Sequence, residues 1–160
     1  KGAKSGFYGW SEDDKHLYFG SNKRDPRYFD IYKMSIDDYT SELIYQDDTG
    51  LRFSGMSNDE NYFALSKSLN TNDSDLSIYN VTTKETTTIN DNQSGNSAED
   101  FTLDDKDFYF TTDADGEFSS LMKYNIESGN IEKVLQKDWD VSGSYFTYNG
   151  KYRVTYSYII

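Results

Sequence analysis

Cysteine is absent from these 160 residues, and proline and histidine occur once each. The missing cysteine excludes a disulfide framework, a thiolate nucleophile and a cysteine-based zinc site. It also leaves the compartment open, since a cytoplasmic and a periplasmic or secreted setting are equally compatible with it. Long apolar runs are missing too. None approaches the roughly 20 residues that a membrane-spanning helix needs, and Lys1 to Gly6 lack the apolar stretch of a secretory leader. Positive charge is scarce, with 16 basic against 28 acidic side chains and a net charge of −12. Such a surface repels phosphate backbones and anionic headgroups, so nucleic acid and membranes are poor partners. Acidity of this kind commonly serves to keep a surface solvated.

Aromatic side chains supply the bulk instead, with 15 tyrosines and 10 phenylalanines. Flat rings that are half buried on a pleated surface suit strands, and no long helix is expected. Self-comparison reveals a repeat. The segments Trp10-Ser11-Glu12-Asp13-Asp14-Lys15, Met56-Ser57-Asn58-Asp59-Glu60-Asn61, Phe101-Thr102-Leu103-Asp104-Asp105-Lys106 and Phe146-Thr147-Tyr148-Asn149-Gly150-Lys151 start 46, 45 and 45 residues apart. In each, a bulky residue ends a strand in the core. A hydroxyl then follows, and two places later an Asp or Asn accepts hydrogen bonds from the amides of a tight turn. Asp13, Asp59, Asp104 and Asn149 are therefore read as turn residues rather than catalytic acids.

Further strands follow each turn in the same phase. Second strands are expected at Leu17-Tyr18-Phe19, at 62–65 and at Phe108-Tyr109-Phe110. Third strands are expected over 30–34, 75–79 and 120–124, and fourth strands over 42–45, 86–89 and 131–135. Four short antiparallel strands repeated radially make the blade of a β-propeller. The fold class is all-β: one partial propeller domain with units at about 6–49, 50–95 and 96–138 and an incomplete one at 139–160. Arg153 falls where the earlier units carry Leu17, Phe63 and Phe108. Three and a half blades leave strand edges open, so the chain is expected to be a fragment and to self-associate.

The unit resembles the W-S-x-D-G-K-x-[IL]-x-[FY] repeat of TolB-like and prolyl oligopeptidase-like propellers. Trp10 to Phe19 is its nearest copy here, and Asp30-Ile31-Tyr32 is similar to the third strand of those repeats. Two departures stand out. The residue after the turn's Asp or Asn is glycine only at Gly150, and the proline often found before it is replaced by Glu12, Asn58, Leu103 and Tyr148. The loop 21–30 and the tyrosine-rich blades look most like the propeller of prolyl oligopeptidase-family serine peptidases, including acylaminoacyl-peptidase-like members. The resemblance implies a non-catalytic cap that gates peptide access to an α/β-hydrolase domain and docks against it. That domain and the missing blades would be its partners, with no cofactor. A TolB-like protein-binding scaffold is the alternative.

The chain contains no G-x-S-x-G elbow of the kind that exposes a hydrolase serine. Gly9-Trp10-Ser11 matches only the first half, inside the repeated turn, so Ser11 is structural and the lone His16 an edge residue. Asp113-Ala114-Asp115-Gly116-Glu117 and the segment 70–75 alternate oxygen ligands but read as hairpin turns, since neither has the spaced glutamate of a calcium loop. Metal-dependent sugar or lactone chemistry is disfavoured for want of histidines. Lys23, Arg24 and Arg27 cluster between the second and third strands of the first unit, and are the candidates for contact with a substrate carboxylate or an acidic partner.

Overall fold

The computed structural model describes residues 2–90 and 93–158, and every helix or strand assigned among them is a strand. The first sheet comprises β1 (Ser5–Trp10), β2 (His16–Ser21), β3 (Asp30–Ser35) and β4 (Ser41–Tyr45). The second comprises β5 (Arg52–Met56), β6 (Tyr62–Ser68), β7 (Ser74–Asn80) and β8 (Thr86–Asn90). The third contains β9 (Asn96–Phe101), β10 (Asp107–Thr112), β11 (Ser120–Asn125) and β12 (Ile131–Leu135). A two-stranded sheet of β13 (Val141–Phe146) and β14 (Arg153–Ser157) follows. Strands pair antiparallel in chain order within each sheet, giving a partial β-propeller of three and a half blades. Ile159 and Ile160, assigned to the fourth unit on sequence grounds, lie outside the described residues, as do 91 and 92 of the second.

The turns after the first strands are built alike. Ser11 Oγ donates to Asp13 Oδ1 at 2.6 Å and accepts from the His16 amide at 2.9 Å, while the Asp14 amide closes the turn on Ser11 O at 3.1 Å. The hydroxyl–carboxylate pair recurs as Ser57–Asp59 at 2.7 Å and Thr102–Asp104 at 2.8 Å, and as Thr147–Asn149 at 2.9 Å. Each short side chain thus serves its own turn's amides. Fourth strands carry a bulge that the alternation pattern does not show, at Ile44, Ile89 and Val134. It lets two successive apolar residues, Ile44 and Tyr45, both be buried.

The blades stack face to face. One face of the second blade, with Phe63, Leu65 and Tyr79, packs on Tyr18, Ile31, Ile44 and Tyr45 of the first. Its other face, with Ala64, Leu76 and Ile78, packs on Phe101, Phe108, Phe110 and Met122 of the third. Phe63 is fully buried and meets Tyr18 edge-on at 5.7 Å, and Tyr8 stacks on Phe53 at 4.4 Å across the first junction. The third junction is more polar. Arg153 lies over the Tyr109 ring at 4.9 Å, and Phe146 meets the same ring edge-on at 5.3 Å.

The strand-ending bulky residues correct the sequence expectation. Phe101 is buried at 4% exposure and Met56 and Phe146 are half-buried, but Trp10 is 53% exposed. Trp10 pairs with Leu17 on the face of the first blade turned away from the second. The position is a core position only where a preceding blade covers it.

A carboxylate also crosses each of the first two junctions. The residue ending the turn is left-handed in every unit, at Asp14 (φ 56), Glu60 (φ 62), Asp105 (φ 54) and Gly150 (φ 64). That conformation costs an L-residue about 1–2 kcal/mol. Glu60 takes the Glu12 amide at 2.9 Å, the Tyr18 hydroxyl at 2.5 Å and Lys33 Nζ at 2.6 Å, all in the first blade. Asp105 takes the Asn58 and Asp59 amides of the second blade, each at 2.8 Å. At the third junction glycine stands instead, and a Cβ on Gly150 would approach Leu103 Cβ to 2.9 Å.

Glu60→Ala strands the buried Tyr18 hydroxyl and Lys33, and is expected to cost about 2–4 kcal/mol in urea unfolding. Phe63→Ala empties the centre of the first junction and is expected to cost about 3–5 kcal/mol. A loss within experimental error for Glu60→Ala would show that the crossing carboxylate contributes nothing.

Candidate functional site

The first strands of all four units converge, and their ends with the following turns enclose an open cleft of about 600 Å³. Its walls are Trp10, Met56, Phe101 and Phe146 from the repeated strand ends, with Glu12, Glu60, Asp100, Leu103 and Tyr148 around them. Trp10 is half exposed and Tyr148 fully so, which gives the cleft two accessible ring faces at its rim. Its carboxylates differ in availability. Glu60 is spent on the first blade, whereas the Glu12 side chain is exposed and makes no hydrogen bond or ion pair among the described residues. The cleft offers aromatic surfaces and an acidic rim, suited to an extended segment carrying rings, prolines or amines.

Nothing in the cleft forms a nucleophile–base pair among the described residues. Ser57 and Thr147 are held by Asp59 and Asn149 inside their turns. Outside it, Ser11, Asp13 and His16 bring together the residue types of a hydrolase triad, but in the wrong arrangement. Ser11 Oγ donates to Asp13 rather than to the imidazole, which lies 3.5 Å from Asp13 through Nδ1. The same hydroxyl–acid pair stands at Thr102 and Asp104, where no histidine follows.

Of the residues named from sequence, Arg24 forms a bidentate pair with the fully buried Asp30, at 2.8 and 2.9 Å, and donates to Asp47 O at 2.5 Å. Burial alone would raise the Asp30 carboxyl, but Arg24 and the Asp47 amide hold it below the ordinary range. Arg27 is exposed and pairs with Asp25 at 2.7 Å, while Lys23 Nζ sits 3.9 Å above the Tyr32 ring. These three do not line the cleft. The turn residues Asp13, Asp59, Asp104 and Asn149 do not line it either.

The cleft residues have a signal in the sequence, the strand-ending position at the 45-residue period, but that signal points to the core. Two neighbouring acids had none. Glu99, the bulged residue of β9, accepts from the Ser144 amide at 2.7 Å and the Thr111 hydroxyl at 3.0 Å, and Asp100 accepts from the Phe146 amide at 2.8 Å. Burial pushes both carboxyls above their ordinary values of 4.5 and 3.8, against the lowering effect of these amides.

No protein-family model matches the sequence, and no curated protein matches it. Solved structures do. TolB from Acinetobacter baumannii superimposes with a TM-score of 0.71 at 19% identity, over 95% of this chain and 37% of that one. A prolyl endopeptidase does so with a TM-score of 0.72 at 14% identity, over 97% and 26%. An oligogalacturonate lyase in complex with manganese gives 0.60 at 13% identity, over 84% and 42%. The chain therefore spans less than half the length of each of these three structures. At such identities the shared property is the propeller fold.

Because Glu99 and Asp100 are raised on folding, the folded chain binds protons that the unfolded chain has released at the same pH. Their contribution to stability therefore falls as pH rises from the ordinary carboxylate values through the raised ones. Relative to the E99Q/D100N variant, the native chain should lose stability across that window, measured as urea unfolding free energy against pH. Parallel curves would remove the two acids as the source. Arg24→Ala should lower the unfolding midpoint more than Arg27→Ala, since only the former strands a buried carboxylate.

Proposed function

We propose that the chain is a non-catalytic propeller segment of a prolyl oligopeptidase-like serine peptidase, gating peptide access to a hydrolase domain that these residues do not contain and docking against it. The observation that carries the reading is the cleft of ring faces and exposed acid where the four first strands converge. The superposition on a prolyl endopeptidase over 97% of the chain supports it. An extended peptide threads such a cleft, whereas a folded protein is too wide for its roughly 600 Å³. Proline suits it because a ring with fixed φ stacks on an aromatic face at little entropic cost.

A second reading, a protein-binding scaffold of TolB type, draws support from the comparable superposition on TolB. The two part on what enters the cleft. A scaffold engages a folded partner across the rim, and a gate engages an extended peptide within it.

Titrating the chain with a proline-containing peptide should change the fluorescence of Trp10, and Trp10→Phe should remove that response while leaving the emission of Trp139. Absence of any response favours the scaffold. The isolated chain should leave prolyl and acyl-aminoacyl chromogenic peptides intact, and measurable hydrolysis would overturn the non-catalytic assignment.

A further inference from the structure

The first strands share one irregularity, and the third unit fills it differently. Each carries a bulge, at Tyr8, Ser54, Glu99 and Ser142, and the next residue is Gly9, Gly55 and Gly143 in three units but Asp100 in the other. A bulge turns two successive side chains to the same side, and Glu99 and Asp100 both reach the fourth unit. There the Ser144 amide donates to Glu99 Oε2 at 2.7 Å and the Phe146 amide to Asp100 Oδ2 at 2.8 Å. Phe146 begins the stretch 146–148 that walls one side of the cleft, and Asp100 lines the cleft beside it. The two acids thus hold that wall by its backbone.

No cation balances the two charges. At the first junction the crossing carboxylate of Glu60 is met by Lys33 at 2.6 Å, but neither Glu99 nor Asp100 forms an ion pair among the described residues. Arg153 of β14, which pairs with Phe146, lies over the Tyr109 ring of β10 instead. At the start of β10, Asp107 lies 3.9 Å from Lys123. Tyr145 and Tyr156, the other titratable side chains of β13 and β14, are hydrogen-bonded to each other at 3.3 Å. Glu60 and Glu12 add only like charge around the cleft. The second blade packs on the opposite face of the third, where Tyr62 and Tyr124 are the titratable members of the cluster. Burial raises both carboxyls more than their amide and hydroxyl bonds lower them, and the charge of Asp100 adds to the rise at Glu99.

We propose that Glu99 and Asp100 form an acid-closed clamp between the third and fourth units, holding the wall at 146–148 in place while they carry protons and releasing it as they ionise. Two neighbouring carboxylates at a junction without a cation regain hydration when the junction opens. A carboxyl raised in the closed form stabilises that form fully below its ordinary value, 4.5 for Glu99 and 3.8 for Asp100, and the contribution is lost as pH rises through the raised value. Acid therefore narrows the cleft and rising pH widens it. Both sides of the contact lie within the chain, and the clamp acts whatever enters the cleft.

Amide hydrogen exchange, followed residue by residue from about pH 4 to about pH 8 and corrected for the intrinsic rate at each pH, tests it. Protection of the Ser144 and Phe146 amides should fall several-fold as pH rises. The Thr102 and Thr147 amides, bonded within their own units to Asp107 O at 2.9 Å and Tyr152 O at 2.8 Å, should keep theirs. In E99Q/D100N, which retains acceptor oxygens without charge, protection of Ser144 and Phe146 should be level across the range. Asp100→Gly, which supplies the residue of the other units, should leave a shallower profile at Ser144. Because the chain has no cysteine, Glu12→Cys with Tyr148→Cys places two spin labels on exposed positions across the cleft. Their separation should lengthen or broaden with rising pH, and should not change in the E99Q/D100N background. A level profile at Ser144 and Phe146 in the native chain, a parallel loss at Thr147, or label distances that ignore pH would each overturn the proposal. The native profile decides even where a variant fails to fold, which circular dichroism reports.

Discussion

The structure depends on one arrangement at the first-strand turns of the second and third units, a left-handed residue whose side chain reaches the blade before it. The conformation aims the side chain backwards across the junction, and there the donors of the preceding turn are waiting. Glu60 and Asp105 exploit this with carboxylates. Glycine would remove the strain and proline would stiffen the turn, yet either substitution would take away half of the bond. The scarcity of proline has this physical counterpart: Glu12 and Asn58 retain the amide that a proline would lack.

Because the bond crosses between units, stability is shared between neighbours rather than held within a blade. The apolar clusters show the same dependence, since Phe63 and Phe108 are buried only through the sheet laid over them. A repeat of this kind behaves as a nearest-neighbour array, in which an end unit is built like the others and lacks half their contacts. Trp10 is exposed for that reason. The cleft has another origin, since it is lined by strand-ending side chains from all four units.

The blade architecture was legible because its signals recur with the period: strand, hydroxyl, acid, strand. Even the turn roles of Asp13 and Asp59 could be reasoned from residue type and spacing. What could not be read was anything that depends on a second unit. Trp10 and Phe101 occupy one position in the pattern, and only the presence of a neighbour separates 53% from 4% exposure. The bulge at Ile44 escapes a strict alternation rule. Arg24 looked available because its charge stood out in an acidic chain, while the buried acid opposite it, Asp30, sat in a strand where its burial left no mark on the sequence.

The acidity itself takes on a second meaning. Solvation accounts for exposed carboxylates such as Glu12, but Asp13, Asp59, Asp104, Glu60, Asp105, Glu99 and Asp100 all accept hydrogen bonds from backbone amides or from hydroxyls. An acid that holds amides is a structural acceptor whose charge strengthens the bond. Placing these acceptors in turns and between first strands gives a chain with a single proline an alternative way to fix its loops.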